Sequence, residues 1–194
     1  MPLCYFDMET TGLNPRLHKI ITIQYQCLHE PSLEPLGELT ILKEWESSEK
    51  DILGEFLEVF IGEDPFDFIP VGVNLAFDFR FLYHRVKYLM PDYVEKNKLT
   101  LEYLVWQKPY IDLKPVLLMV NDFRFECYDR LVEEYMKLEA REEPVLAGGT
   151  IPHLYISGKY DEIERYIRIE AKATIEVLRR VYRILKENYP RLRP

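Results

Sequence analysis

Cysteine is scarce in this chain: Cys4, Cys27 and Cys127 are odd in number, and no two of them form a CxxC pair. Neither a disulfide framework nor a cysteine-based zinc site is expected, and the spacing favours buried thiols. Long apolar runs are missing too. No stretch approaches the roughly 20 residues of a membrane helix, and no basic region precedes a hydrophobic core at the N-terminus. Neither a membrane span nor a secretory signal is expected, which points to a cytoplasmic protein. Cations are in deficit, with 25 Lys and Arg against 33 Asp and Glu and a formal net charge of -8. That balance counts against a protein that grips nucleic acid with a broadly basic surface. It leaves open an enzyme that meets nucleic acid through metal ions on its own carboxylates. No internal repeat and no low-complexity linker is visible. With 47% hydrophobic residues, the length suits one well-cored domain over residues 1–194.

Apolar patterning gives an order of elements. "LCYF" reads as a buried strand, "IITIQYQCL" (Ile20 to Leu28) as an alternating one and "LTILK" (Leu39 to Lys43) as a third, a short antiparallel meander. Ser48 with Asp51 three residues on predicts a capped helix ending near Phe60. "FIPVGVN" predicts a fourth strand, and the next segment a helix with Leu75, Phe79, Leu82, Val86 and Leu89 on one stripe. "IDLKPVLLMV" predicts a short strand or turn leading into a helix, and residues 128–140 another helix. Glu142 to His153 reads as loop. The last predicted helix runs over residues 160–188, with an apolar stripe of Ile163, Ile167, Ala171, Thr174, Leu178, Val181 and Leu185. Antiparallel strands first and strand-helix units later predict a mixed α/β layer fold.

The stretch "YFDMETTGLNP" places Asp7 and Glu9 two residues apart at the end of an apolar strand. Side chains alternate along a strand, so both carboxylates fall on one side. They read either as the start of a solvated loop or as ligands of a hard divalent cation. Two more acids sit on inward-facing positions. Asp78 lies at the edge of its helix's apolar stripe, where a charge favourable to the helix start is the alternative. Glu170 falls between Ile167 and Thr174, near the centre of the inward face, where a lone carboxylate is costly unless paired or metal-bound. Bringing the four together without a cation would incur strong repulsion.

These residues carry a resemblance. "FDMETTGLNP" resembles the first motif of the DEDD 3'→5' exonucleases of the ribonuclease H-like superfamily, and "VGVNLAFDFRFL" resembles the second. "YIRIEAKATIEVL" is similar to the third motif of the tyrosine subclass, found in proofreading domains of family B DNA polymerases. "IDLKPVLLMV" and "TIPHLYISGKYDEIERY" are similar to the linking segments, so the resemblance spans nearly the whole chain. One position departs: Glu170 stands where the family has its fourth Asp. Asp161, at the helix start, is the nearby rival. The histidine subclass would need His where Arg165 stands.

The resemblance implies an α/β ribonuclease H-like mixed sheet, its first three strands antiparallel, flanked by helices. It implies a 3'→5' exonuclease that hydrolyses single-stranded DNA or RNA with two Mg²⁺ or Mn²⁺ ions. Asp7, Glu9, Asp78 and Glu170 would be the metal ligands, with Asp7 touching both ions, and Tyr166 would orient the nucleophilic water. Thr10, Thr11, Gly12, Leu13 and Asn74 would seat the terminal nucleotide, Leu13 as a wedge. Leu13 reads equally as a turn residue, Asn74 as a helix cap and Tyr166 as a packing residue. Arg80, Arg85 and Lys87 would track phosphates or form a solvated helix face. Nucleic acid is the expected partner, and no membrane is involved. A nuclease-fold binding module with faded chemistry, or a proofreading subunit of a larger assembly with a protein partner, are the competing readings.

Overall fold

The computed structural model describes residues 2–120 and 148–188. Strand β1 (Leu3–Thr10) runs antiparallel to β2 (Ile20–His29) and parallel to β5 (Ile69–Gly72). On one side, β2 also pairs antiparallel with β3 (Glu34–Pro35) and β4 (Thr40–Lys43); on the other, β5 pairs parallel with β6 (Ile111–Asp112). The three strands predicted to form an antiparallel meander are β1, β2 and β4. The parallel strands follow helical crossovers, which gives the expected mixed sheet.

Strand alternation on β1 separates two cores. Cys4, Phe6 and Met8 pack against α1 (Glu49–Phe60) and α2 (Leu75–Leu89), where the Phe6 ring stacks on Phe56 with centroids 5.0 Å apart. Tyr5 packs on the opposite face with Val71, Leu113, Ala171 and Leu178, residues that include the inward side of α6 (Tyr160–Asn188). The β1–β2 register slips between Glu9 and Thr10. As a result Ile20 packs with the α1–α2 core while Ile21 joins Ile163, Tyr166 and Ile167 on the α6 side.

Helix α1 starts where the sequence signals it: Ser48 is the N-cap and its side chain accepts from the Asp51 amide. Gly72, at the end of β5, is required by close approach, because a Cβ there would lie 2.5 Å from the Phe6 carbonyl oxygen. Along α6, Ile163, Ile167, Ala171, Thr174 and Leu178 are buried as the stripe predicts, but Leu185 is 48% exposed. Among the described residues no helix is long and apolar enough to cross a membrane.

Several expectations need correction. Cys4 and Cys27 are joined in a disulfide rather than standing as buried thiols. The β1–β2 register sets them directly opposite each other, a relation that an odd cysteine count cannot disclose. Cys127 lies outside the described residues, as does the helix expected over 128–140. Part of the segment read as loop is helical, with a 3-10 turn at Gly148–Thr150 leading into α5 (Ile151–Ile156). Pro152 in its first turn fits a helix start as readily as a loop. The short elements β3, a 3-10 turn at Glu44–Glu46, α3 (Pro91–Asn97) and a π turn at Tyr103–Gln107 escaped the reading; a short α4 (Leu113–Val120) follows β6 as expected.

Candidate metal centre

Three elements deliver the four acids. Asp7 and Glu9 lie on the α6-facing side of β1, Asp78 lies in the first turn of α2, and Glu170 lies on α6. Asp7, Glu9 and Glu170 each offer a carboxylate oxygen, and these oxygens lie within 4.8 Å of one another. Asp78, only 3% exposed, stands outside that trio but within electrostatic range of Asp7 and Glu170. Asp161 is exposed at the start of α6. Nine residues of helix separate it from Glu170, about 13.5 Å at 1.5 Å per residue, so Asp161 does not belong to the group.

Each acid is held near protonation. Burial pushes the Asp7 carboxyl up to about 6, although the Met8 amide, Gln24 and Glu170 stabilise it through hydrogen bonds. Glu9 is raised well above the usual range, first by burial and then by the charges of Glu170, Asp7 and Asp78. Asp78 rises for the same first reason and then through Asp7, Asp112 and Glu170. Glu170 rises through burial and Asp7, against the opposing effect of a hydrogen bond from Tyr166. The Tyr166 hydroxyl, raised by burial and then by Glu170, Glu9 and Asp7, stays protonated.

Two supporting residues escaped the sequence reading. The register pairs Asp7 with Gln24; Gln24 Nε2 donates to Asp7 Oδ2 at 2.8 Å, and the Thr22 hydroxyl donates to Gln24 Oε1 at 3.0 Å. Both are fully buried, and buried polar residues on an otherwise apolar strand were the available signal.

The turn after β1 is built from its own side chains. The Thr10 hydroxyl donates to the Gly12 carbonyl at 2.9 Å, and Thr11 Oγ1 accepts from the Lys19 amide at 3.1 Å. A Cβ at Gly12 would lie 2.7 Å from the His18 ring, which would have to turn aside to admit it. Leu13 is 79% exposed.

Asn74 precedes α2 in the left-handed conformation at φ 64 and makes no side-chain cap. Its amide donates to Asp112 Oδ1 at 2.9 Å, and its own Oδ1 accepts from Lys114 Nζ at 3.1 Å. Arg85 is committed elsewhere: its guanidinium grips the buried Glu49 carboxylate at 2.6 and 2.7 Å and the Pro15 carbonyl at 3.2 Å. It pins the loop after β1 onto α2 and is removed from any phosphate-tracking set. Arg80 and Lys87 remain exposed.

The chain superimposes on the zinc-bound complex of E. coli exonuclease I with single-stranded DNA with a TM-score of 0.60 over 98% of its length, at 15% identity. The fold is that of the matched part of exonuclease I. A second structure of the E. coli enzyme, with a dT13 oligonucleotide, gives a TM-score of 0.58, also at 15% identity and over 98% of this chain. In sequence, the PolC-type DNA polymerase III of Thermotoga maritima is 30% identical over 145 residues, 66% of this chain. The chain spans 41–42% of the exonuclease I chains and 10% of the polymerase. No protein-family model matches it.

The residues fit a divalent cation. The charges that act on Glu9 are those of Glu170, Asp7 and Asp78, all of one sign. Glu170 Oε2 is buried without a hydrogen-bond partner, a costly state for a carboxylate oxygen. A hard cation with oxygen ligands would satisfy the orphaned atom and relieve the repulsion.

Proposed function

We propose that this chain is a single-domain, divalent-metal-dependent 3'→5' exonuclease that hydrolyses phosphodiester bonds at the end of single-stranded DNA or RNA. The observation that carries the reading is the convergence of Asp7, Glu9 and Glu170 within 4.8 Å, with Asp78 nearby. The shared fold and the DNA-bound state of the exonuclease I structures add support, as does the polymerase relative.

Asp7, Glu9, Asp78 and Glu170 would hold Mg²⁺ or Mn²⁺, two ions by resemblance to the DEDD exonucleases. Such ions supply an activated water and neutralise charge on the entering and leaving oxygens. The remaining work falls to the chain. Gln24, itself held by Thr22, fixes the Asp7 carboxylate. Tyr166, its hydroxyl protonated beside Glu170, acts as a donor that orients water rather than as a base. Lys114 fixes the Asn74 amide by occupying its oxygen, which leaves the nitrogen to donate to a bound strand. The Thr10–Leu13 turn seats the 3' terminus, with exposed Leu13 available to stack on a base.

Incubation of uniformly labelled single-stranded DNA and RNA with Mg²⁺, Mn²⁺ or EDTA tests the proposal, and mononucleotide release that requires the metal is expected. The longer Glu170 side chain and the net charge of -8 favour a second reading, a binding module with faded chemistry. Metal and nucleic-acid binding without any nucleotide release would establish that reading instead.

A further inference from the structure

Tyr5 lies two residues before Asp7 on the same face of β1, so Tyr5, Asp7 and Glu9 form one row. Its ring packs among Leu28, Leu33, Val71, Leu113, Leu117 and Ala171, and Ala171 is the neighbour of Glu170 on α6. Tyr5 is 2% exposed. Among the described residues, the buried side-chain polar atoms without a hydrogen-bond partner are Tyr5 Oη and Glu170 Oε2. One is a donor and the other an acceptor. Buried hydroxyls and carboxylate oxygens are normally satisfied, and each left unpaired costs about 1–3 kcal/mol. The two are not paired with each other as they stand, and they lie beside the same acidic row, Tyr5 on β1 and Glu170 on α6. The charges of Asp7, Glu170 and Glu9 all bear on the Tyr5 hydroxyl.

Resting on the metal-site reading above, we propose that Tyr5 is a positioning residue for Glu170: in the metal-bound site its hydroxyl donates to Glu170 Oε2 through one bridging water and holds the carboxylate in the ligand set. A glutamate has one more rotatable bond than an aspartate, so a ligand at this position needs an additional restraint. Tyr166 contacts the carboxyl from its own helix. Tyr5 restrains it from the sheet, which fixes the carboxylate plane from two directions. Neighbours that hydrogen-bond a ligating carboxylate typically contribute 10–100-fold to metal affinity.

The test is Mn²⁺ binding to the full chain by isothermal titration calorimetry, with the metal-free melting temperature measured in parallel. Tyr5→Phe is expected to raise the Mn²⁺ Kd about tenfold while the metal-free protein melts at the same or a higher temperature, because an unpaired buried hydroxyl has been removed. In a Glu170→Asp background, where the carboxylate falls one methylene short, Tyr5→Phe is expected to change the Kd less than twofold. Any nuclease activity lost in Tyr5→Phe is expected to return at saturating Mn²⁺. A Tyr5→Phe Kd within twofold of wild type would overturn the role of Tyr5 and leave the metal site standing. An equal effect in both backgrounds would show that Tyr5 acts other than through Glu170. Wild-type protein that binds no Mn²⁺ would overturn both readings.

Discussion

Replacing Asp7 by Asn is expected to stabilise the metal-free protein while destroying its response to metal. Burial pushes the Asp7 carboxyl from its ordinary 3.8 up to about 6. At about 1.36 kcal/mol per pH unit, that gap corresponds to about 3 kcal/mol; Asp7 is only partly buried, so this figure is an upper bound. Because the folded state binds the proton more tightly than the unfolded chain, the contribution is fully present below pH about 3.8. It is lost as pH rises through about 6. Wild-type protein in EDTA is thus penalised at pH 7.5, whereas Asp7→Asn carries no charge to repel Glu9 and Glu170. For a chain of this length about 3 kcal/mol corresponds to about 6–12 °C in melting temperature. Differential scanning calorimetry in EDTA should find the variant and wild type close together at pH 4 and the variant higher by up to that amount at pH 7.5. Added Mn²⁺ should raise the wild-type Tm at pH 7.5, less so at pH 5 where protons compete, and leave Asp7→Asn unchanged. An Asp7→Asn protein no more stable than wild type at pH 7.5 in EDTA would refute the cost of burying the Asp7 charge without a cation, on which the metal site is argued.

Other expectations follow from the same geometry. Glu170→Gln should weaken Mn²⁺ binding and lose most nucleotide release, while Glu170→Asp keeps the charge and part of the activity; a fully active Glu170→Gln in a release assay would remove Glu170 from the site. Tyr166→Phe should keep substrate binding yet, even at saturating Mn²⁺, slow single-turnover cleavage by about 10²–10⁴-fold, and an unchanged rate would reduce Tyr166 to a packing residue. Arg85→Met should cost about 3–5 kcal/mol in urea denaturation, because it leaves Glu49 buried without its partner. A loss below about 1 kcal/mol would mean that the pair does not hold the loop onto α2.

Where the signal was local, the sequence disclosed it. Ser48 with Asp51 marked the start of α1, the period of the last helix gave Tyr160–Asn188, and Glu170 stood out as an acid on an inward stripe. Where the determinant was pairing across the sheet, it did not. The Cys4–Cys27 bridge and the Gln24 contact to Asp7 both depend on β1–β2 register, which no single strand encodes. Arg85 looked like its exposed neighbours Arg80 and Lys87 because its partner, Glu49, lies 36 residues away in α1. Asn74 read either as a strand-positioning residue or as a helix cap; its side chain makes no cap bond and meets Lys114 across the β5–β6 edge.

The most direct measurement of the central claim compares a 5'-labelled linear single strand with a covalently closed circular one, each incubated with wild type and with Asp7→Asn in Mn²⁺ and in EDTA. The account predicts a ladder that shortens stepwise from the 3' end of the linear strand, with wild type and Mn²⁺ only, and an intact circle. Cutting of the circle at the rate of the linear strand, or a ladder that persists in EDTA or with Asp7→Asn, would contradict it.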